Sequence, residues 1–276
     1  MQLAGATVVV TGAGGGIGRE LVVQAVARGA RVAAVDIRHE ALDETVAAVA
    51  DSDRVATFVV DITDRDAVAA LPAAVEAALG PTDVLVNNAG IIQPFIRLAE
   101  LDDETIDRVI DVNLYGPLNM VRAFLPGLLA RPAAHVLNVS SMGGFLPVPG
   151  QTIYGAAKAG VKLMTEGLYA ELLDTQVGVT VVMPGAVATD ITGNSGVDVP
   201  GGAGDDEDRP NMPITEPADA AETILDGIEH GKLYVFVGLD ARLLNIATRI
   251  APRQATHLIQ SQMKRLLDPA DAAAAG

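Results

Sequence analysis

Six short apolar runs rich in β-branched residues recur along the chain, separated by longer stretches rich in alanine and leucine. They lack the apolar and polar alternation of a strand with one face in water, so each is predicted to be a strand covered on both faces. The runs begin at Thr7, Arg31, Val55, Asp83, His135 and Gly178, and a seventh strand is predicted from Leu233 to Gly238. Strands of this kind belong to a parallel sheet with helices on each side, so the expected fold is a doubly wound α/β domain.

From these runs a Rossmann-type domain with about seven strands is predicted over residues 1–240, although the length alone would allow one domain or two. The chain has 276 residues, half of them hydrophobic, and no cysteine, so neither a disulfide framework nor a thiolate nucleophile is available. The sequence shows no signal-peptide pattern and no apolar run of ~18–20 residues, so a cytoplasmic protein is expected. The formal net charge of −16 argues against a nucleic-acid partner.

An insertion at residues 190–215 is rich in glycine, proline and aspartate and follows the predicted sixth strand. Ligands bind beyond the carboxyl ends of such strands. The insertion is therefore interpreted either as a disordered surface loop or as a mobile lid over the substrate.

A basic amphipathic extension, residues 241–276, is predicted to form helices after the sheet. Pro252 divides it into two helices, and its aliphatic residues at helical spacing include Leu243, Ile246 and Ile250. This stripe is expected to pack on the body or on a second subunit. The alternative is a peripheral contact with a membrane surface or with an acyl carrier.

A glycine-rich turn, TGAGGGIG from Thr11 to Gly18, joins the first predicted strand to the first helix. Glycines permit a tight turn and let backbone N–H groups approach a pyrophosphate at the helix N-terminus. Because the turn begins a βαβ unit, it predicts a dinucleotide site. Its predicted cofactor-binding residues are Gly12, Gly14, Gly16, Ile17 and Gly18.

The second predicted strand ends in Asp36, eighteen residues after Gly18. A carboxylate at this position accepts hydrogen bonds from the adenosine ribose and repels a 2′-phosphate, which favours NAD over NADP. Arg38 acts against this interpretation, because its guanidinium could meet a phosphate. No basic residue lies among residues 13–15, so NAD remains the predicted cofactor, with Asp36, Ile37 and Arg38 in its site.

Two later strand ends extend the predicted cofactor site. Asp61, followed by Ile62, could bond the adenine amino group, although the next helix could equally start here at Thr63 or Asp64. In the sequence NNAG, residues 87–90, small side chains let a cofactor lie against the backbone at Asn88, Ala89 and Gly90. The two asparagines could also do no more than tie down the turn.

Tyr154 and Lys158 lie four positions apart in the small-residue stretch YGAAKAG, which puts them on one face of a helix. A neighbouring ammonium would stabilise the phenolate and lower the pKa of Tyr154 from its ordinary value of about 10. Ser141, thirteen residues upstream at a predicted strand end, could hold a substrate oxygen beside the phenol. Ser140 is the competing candidate.

These motifs resemble those of the short-chain dehydrogenase/reductase family, and the resemblance extends up to about Gly238. The glycine turn, NNAG and the Tyr154–Lys158 pair are similar to the family's TGxxxGxG, NNAG and YxxxK motifs. The resemblance implies a helix asparagine at Asn113 that holds a water in a proton relay, and it favours Ser141 over Ser140. The implied catalytic residues are Asn113, Ser141, Tyr154 and Lys158. The segment after the sixth strand, PGAVAT, is similar to one that contacts nicotinamide; with Tyr154 and Lys158, the implied cofactor contacts there are Pro184, Gly185, Val187 and Thr189.

The resemblance implies an NAD-dependent oxidoreductase that interconverts a secondary alcohol and a ketone, with Tyr154 as the proton donor or acceptor. The expected substrate is hydrophobic, because the predicted pocket offers no cationic clamp for a carboxylate; its residues are Gln93, Gly143, Phe145, Val148, Gln151 and Ala186. One alternative is a 3-oxoacyl-thioester reductase using NADPH, which Asp36 speaks against. A non-catalytic nucleotide-binding scaffold would not need all four catalytic residues.

Assembly as a homodimer or homotetramer is implied by the same resemblance, through the helix after Asp102 and the helix that carries Tyr154. No metal is expected, because the four histidines show no ligand spacing; they are His39, His135, His230 and His257.

Overall fold

Seven strands form one parallel sheet in the computed structural model, which describes residues 1–197 and 214–267, with side chains up to residue 261. The sheet order is β3-β2-β1-β4-β5-β6-β7, and every neighbouring pair is parallel. The strands are β1 (Thr7–Thr11), β2 (Arg31–Asp36), β3 (Val55–Val59), β4 (Val84–Asn87), β5 (Ala134–Val139), β6 (Val177–Pro184) and β7 (Tyr234–Val237). The parallel sheet predicted from the apolar runs is confirmed.

Helices cover both faces of this sheet, which confirms the doubly wound fold. One core contains side chains from α1, α2 and α8, and the other contains side chains from α3, α5 and α6. The described helices are α1 (Gly16–Ala27), α2 (His39–Ala48), α3 (Arg65–Leu79), α4 (Asp103–Ile110), α5 (Gly116–Leu129), α6 (Thr152–Leu172), α7 (Ile191–Ser195), α8 (Pro217–Glu229), α9 (Leu239–Ile250) and α10 (Pro252–Leu267).

The strand β1 shows why the apolar runs lack alternation. Val8, Val9 and Val10 are all fully buried. Val8 and Val10 belong to the core on one face of the sheet, whereas Val9 belongs to the core on the other. Both faces of the strand are therefore apolar, since neither meets water.

The winding of the sheet reverses at β1, which lies between β2 and β4. All strands run in the same direction, so their carboxyl ends meet at one edge. In an open parallel sheet the crevice at this reversal is where ligands bind. The fold therefore brings the ends of β1, β2, β4, β5 and β6 to one candidate site.

The C-terminal helices follow β7, and they are divided at Pro252 as predicted. The helix α9 packs on β7 and on the turn Met142–Gly144. Its residues Asp240 and Ala241 face the body and are buried. Leu243, Ile246 and Ile250 are exposed, so this part of the stripe does not pack on the body. Packing on a second subunit, the other half of the expectation, stays a prediction.

Part of the predicted insertion lies within the described residues. α7 and a parallel bridge between Val187 and Thr215 are seen there, whereas residues 198–213 lie outside the described part of the chain. Among the described helices, none combines the length and hydropathy that a membrane span requires.

Candidate active site

A cleft of about 1160 Å³ lies at the carboxyl edge of the sheet, beyond the β1/β4 reversal. It brings together most of the predicted cofactor contacts, along with the predicted catalytic residue Ser141 and the predicted substrate residue Ala186. Those lining it are Gly12, Gly16, Ile17, Asp36, Ile37, Arg38, Asp61, Ile62, Asn88, Ala89, Gly90, Ser141, Tyr154, Lys158, Pro184, Gly185, Ala186, Val187 and Thr189.

The glycine turn between β1 and α1 is built so that only glycine fits at several positions. Gly12 and Gly16 adopt the positive φ values of 66° and 51°. A Cβ on Gly12 would lie 2.8 Å from the Cα of Ala89, and a Cβ on Gly18 would collide with the carbonyl oxygen of Gly12. Gly18 thus packs the helix against the strand rather than lining the cleft.

The N-terminus of α1 presents its backbone to the cleft. Its N-cap, Gly15, has no side chain to accept from the first N–H groups, and the first turn carries no acidic residue. Uncapped N–H groups and the positive end of the helix dipole together favour an anion. This end of the cleft is suited to the pyrophosphate of a dinucleotide.

Asp36 closes the opposite side of the turn. Its carboxylate is almost wholly buried: Oδ2 accepts from the N–H of Gly14 at 2.9 Å, and Oδ1 accepts from the N–H of Arg38 at 3.0 Å. Gly14 therefore supports Asp36 and does not line the main cleft. The Arg38 side chain lies near the same carboxylate, 3.5 Å from Nε to Oδ1, and donates to Asn194 Oδ1 at 2.7 Å.

A smaller polar recess adjoins this end of the cleft, beside the glycine turn and Arg38. It contains two guanidinium groups, and both already have partners. Arg19 is paired with Glu44 at 2.6 Å, and Arg38 contacts Asp36 and Asn194. Three carboxylates line the same recess; they belong to Glu40, Glu44 and Asp190. The recess is therefore poorly suited to a further dianion.

At the ends of β3 and β4, polar side chains form hydrogen bonds within nearby turns. Asp61 lines the cleft while its Oδ1 accepts from the backbone and hydroxyl of Thr63, each at 2.8 Å; Asp64 is the N-cap of α3. Asn88 donates from Nδ2 to the carbonyl oxygens of Thr11 and Gly12, so it ties down the glycine turn. Asn87 bonds to β5 through Asn138 instead.

Ser141 and Tyr154 meet in the cleft. Ser141 follows β5 and accepts from the N–H of Gly143 at 3.0 Å. A Cβ on Gly143 would lie 3.3 Å from Cε1 of Tyr154 and 3.4 Å from Oγ of Ser141, so the two side chains are neighbours. Ser140, the competing candidate, donates to the carbonyl of Lys158 at 2.7 Å and so links β5 to α6. The geometry therefore favours Ser141 as the partner of the phenol.

Lys158 is buried on the same face of α6 as Tyr154. Its Nζ lies 5.9 Å from the centroid of the Tyr154 ring and donates to the carbonyl of Val139 at 3.1 Å. A Cβ on Gly90 would lie 3.0 Å from this Nζ and 2.8 Å from Asn113 Oδ1. The lysine, the asparagine and Gly90 are therefore closely packed.

Asn113 is fully buried in a π-helical turn, Asp111–Tyr115, between α4 and α5. Its Nδ2 donates to the carbonyls of Ile91 and Val109, both at 2.9 Å, and its Oδ1 accepts from the N–H of Ile91 at 3.2 Å. π-Helical turns often occur at functional sites. Here the side chain anchors the loop after β4, and it does not line the cleft.

Burial shifts the pKa values of the two ionisable groups in opposite directions. It raises the pKa of Tyr154, against a smaller lowering by the neighbouring Ser141 hydroxyl, and it lowers the pKa of Lys158 to about 8. This is opposite to the direction expected for Tyr154 from the sequence. Burial of the phenol outweighs the ammonium, which is directed at Val139 rather than at the phenolic oxygen.

Most of the predicted substrate residues do not line the cleft. Gln93 and Gln151 are buried and hold backbone: Gln93 Oε1 accepts from the N–H groups of Ile153 and Tyr154 at 2.9 and 3.0 Å, and Gln151 Nε2 donates to the carbonyl of Gln93. The start of α6 needs such acceptors, since its first N–H groups have none within the helix. Ala186 does line the cleft; Gly143, Phe145 and Val148 do not.

The apolar wall of the cleft comes from residues that the sequence analysis did not single out. They follow the ends of β4, β5 and β6, and that position was the available signal; they are Ile91, Ile92, Phe95, Met142 and Ile191. The C-terminal end of α7 is tied to two other segments: Asn194 accepts from Arg38 at 2.7 Å, and Ser195 accepts from the N–H of Ile92 at 3.0 Å.

Histidines play no visible part in the site. His135 is buried in β5, where its Nε2 lies 2.7 Å from Thr180 Oγ1, and burial lowers its pKa to about 4. In residues 1–197 and 214–267, no three His, Asp or Glu side chains are grouped as metal ligands would be.

Known proteins resemble this chain over most of its length. The model of the family described as short chain dehydrogenase matches residues 6–199. SadH of Mycobacterium tuberculosis is 36% identical over 89% of this chain and 91% of its own length. The 3-oxoacyl-[acyl-carrier-protein] reductase FabG of Thermotoga maritima is 38% identical over 70% of this chain and 78% of its own.

Two solved structures share the fold. A short chain dehydrogenase/reductase from Burkholderia phymatum, in complex with NAD, superposes with a TM-score of 0.78 at 26% identity, over 91% of this chain and 96% of that one. A short chain dehydrogenase from Burkholderia cenocepacia, in complex with NADP, superposes with a TM-score of 0.77 at 29% identity, over 94% of this chain and 99% of that one.

Proposed function

The chain belongs to the short chain dehydrogenase family and is an oxidoreductase, and from this premise we propose that it interconverts a hydrophobic secondary alcohol and a ketone with NAD. The observation that carries the proposal is that Ser141 and Tyr154 lie side by side in the cleft, both against Gly143, with Lys158 buried beside them.

A nicotinamide dinucleotide fits the residues present. The uncapped N-terminus of α1 suits its pyrophosphate, and the small residues after β4 leave room along the backbone. The part of the dinucleotide between its two ends would lie against Gly12, Gly16, Asn88 and Gly90. Asp36 would bind the adenosine ribose. When bound, the nicotinamide supplies or accepts the hydride.

The preference for NAD over NADP rests on the adenosine end. The Asp36 carboxylate and the three carboxylates of the polar recess disfavour a 2′-phosphate, while Arg38 is already engaged by Asp36 and Asn194. The NADP found in the Burkholderia cenocepacia structure shows that the fold accepts either dinucleotide. The charges around Asp36 therefore decide the choice in this chain.

The protein's own residues account for the proton. With its raised pKa, Tyr154 is a neutral phenol near pH 7, ready to donate to a carbonyl oxygen during reduction. The Ser141 hydroxyl lies beside it and would hold the same oxygen, stabilising the charge that develops there. In the oxidation direction Tyr154 must accept the proton, and the Lys158 ammonium and an oxidised nicotinamide would both favour its phenolate.

The substrate class follows from the wall of the cleft. Ile91, Ile92, Phe95 and Met142 present apolar surface, which favours a hydrophobic alcohol. Arg108 lies at the cleft in the same helix as two acids, Glu104 and Asp107, so that rim does not favour a free carboxylate.

The alternative is a 3-oxoacyl-thioester reductase that uses NADPH, with an acyl carrier as the contact partner. The similarity to the Thermotoga maritima FabG favours this alternative, whereas the charge around Asp36 opposes it. The cofactor preference separates the two candidates.

Assembly as a homodimer or homotetramer is also part of the proposal. It is supported by two exposed apolar residues, Leu163 on α6, which is 70% exposed, and Leu173 at its C-cap, which is 61% exposed. Apolar surface of this kind is common at subunit contacts.

We further propose that the outer face of α9, made of Leu239, Leu243, Ile246 and Ile250 with Arg242 and Arg249, contacts an anionic membrane surface. Residues 239–267 carry five basic residues and one acid, Asp240, in a chain whose formal net charge is −16. That acid is buried, so exposed aliphatic and basic groups lie together on the outside. Such a face matches the headgroups and acyl boundary of an anionic bilayer.

The first test is a titration of the full chain with NADH and NADPH, followed by nicotinamide fluorescence, and then a panel of hydrophobic secondary alcohols with the tighter cofactor. We expect tighter binding of NADH and turnover that is lost in Tyr154→Phe. Tighter binding of NADPH would instead favour the reductase, and unchanged turnover in Tyr154→Phe would contradict the proposed role of the phenol.

A further inference from the structure

Asp240 is a buried carboxylate in the first turn of α9, with 7% of its surface exposed. Its Oδ2 accepts a hydrogen bond from the N–H of Ala186 at 2.9 Å. Its Oδ1 is buried without a hydrogen-bond partner among the described residues. A carboxylate held away from water is unfavourable unless other contacts compensate, so this position calls for an explanation.

Helix capping does not explain it. The N-cap of α9 is Gly238, and no side chain caps the first turn. The hydrogen bond of Asp240 leads instead to another segment, the loop that leaves β6 at the cleft. The N-terminus of α9 nevertheless provides the positive end of a helix dipole, which makes the negative charge less costly there.

Two glycines leave the space that this carboxylate fills. A Cβ on Gly185, after β6, or on Gly238, after β7, would run into the carboxylate oxygens of Asp240. Gly185 also donates to the carbonyl of Val237 at 2.9 Å, so the two loops lie side by side. Asp240 therefore packs between the exits of two neighbouring strands.

The loop that follows β6 forms part of the wall of the cleft. Gly185 and Ala186 both line it, next to Val187 and Thr189. We infer that Asp240 is a positioning residue, which fixes the Gly185–Ala186 wall where the nicotinamide end of the dinucleotide rests. This inference depends on the proposed function, because it takes the wall to face the nicotinamide.

The test compares two ligands on the full chain. NADH reaches the wall, whereas ADP-ribose lacks the nicotinamide and does not. For Asp240→Ala we expect the Kd of NADH to rise about tenfold, as the loss of a charge-assisted hydrogen bond suggests, with the Kd of ADP-ribose unchanged. Asp240→Asn keeps an oxygen acceptor for Ala186 and should restore most of the NADH affinity. Arg253→Ala, an exposed change in the neighbouring helix α10, is the control and should leave both affinities unchanged.

A purely structural role gives a different result. A lower unfolding temperature for Asp240→Ala with both Kd values unchanged, or weakened equally, would overturn the inference. Should Asp240→Ala fail to fold, Asp240→Glu keeps the charge but is too long for the space between the glycines. For Asp240→Glu we expect the Kd of NADH to rise and the Kd of ADP-ribose to stay unchanged. The inference would again be overturned if both Kd values were the same in this variant as in the wild type. A wild-type chain that binds neither ligand would show instead that the proposed function itself has failed.

Discussion

Burial shifts the pKa values of Tyr154 and Lys158 in opposite directions. Their ordinary pKa values are 10.0 and 10.5, but burial raises the first and lowers the second to about 8. The lysine therefore loses its proton before the tyrosine as the pH rises. Electrostatic support for the phenolate is available only below about pH 8, where Lys158 is charged.

The lowered pKa of Lys158 predicts a pH-dependent stability. Above about pH 8 and below the ordinary value, the unfolded chain retains a proton on this amine that the folded chain has released, so rising pH favours the folded state. We expect the free energy of unfolding to rise by up to about 2 kcal/mol between roughly pH 7.5 and 9.5 from this group. Urea unfolding across that range should show this rise in the wild type and in Lys162→Met. A rise of the same size in Lys158→Met would assign it to other groups.

Asp36 predicts a change in cofactor preference. In Asp36→Asn the side-chain oxygen can still accept from the N–H of Gly14, but the charge that repels a 2′-phosphate is gone and Arg38 loses its ionic partner. We expect the ratio of the NADPH and NADH dissociation constants to fall about tenfold or more. Asp61→Asn is the control within the same cleft, and it should alter both affinities in parallel. A ratio that stays constant in Asp36→Asn would place the selectivity elsewhere.

At the scale of elements, Gln93 links the loop after β4 to the start of α6. Gln93→Met keeps the length of the side chain but leaves the N–H groups of Ile153 and Tyr154 without their acceptor. We expect a loss of about 2 kcal/mol in stability and a lower kcat, since the first turn of α6 positions the phenol. Denaturant unfolding and steady-state kinetics would measure both. Gln254→Met, an exposed change in α10, should affect neither, and the idea fails if the two variants behave alike.

The elements also show what the sequence could predict. Unalternated valine runs predict a parallel sheet because a strand buried on both faces has no other pattern, and the turn after β1 needs glycine for steric reasons alone. The roles of Gln93 and Asn113 were not predictable in this way, because their partners are backbone atoms of loops distant in sequence. The sequence left the partner of the α9 stripe open, between the body and a second subunit, for a similar reason: helical periodicity identifies an apolar face but not the surface it meets.

At the scale of the whole molecule, charge is divided between two regions. The chain as a whole has a formal net charge of −16, yet α9 and α10 are basic, and the acid at the start of α9 is buried at the wall of the cleft. α9 also packs on the turn Met142–Gly144, which follows Ser141. Docking through α9 would therefore bring the apolar side of the cleft close to the source of a hydrophobic substrate.

This arrangement predicts selective binding to anionic vesicles. The full chain should sediment with vesicles of phosphatidylcholine and phosphatidylglycerol at low salt but not with phosphatidylcholine alone, because the arginine rim needs negative headgroups. Leu243→Ser combined with Ile246→Ser should lose binding, since both side chains are exposed and supply the apolar contact. Val59→Ser removes an exposed aliphatic residue on β3, at the sheet edge opposite β7, and should bind as the wild type does. Loss of an oligomer in the double variant, without vesicle binding by the wild type, would instead identify the outer face of α9 as a subunit interface and contradict the membrane contact.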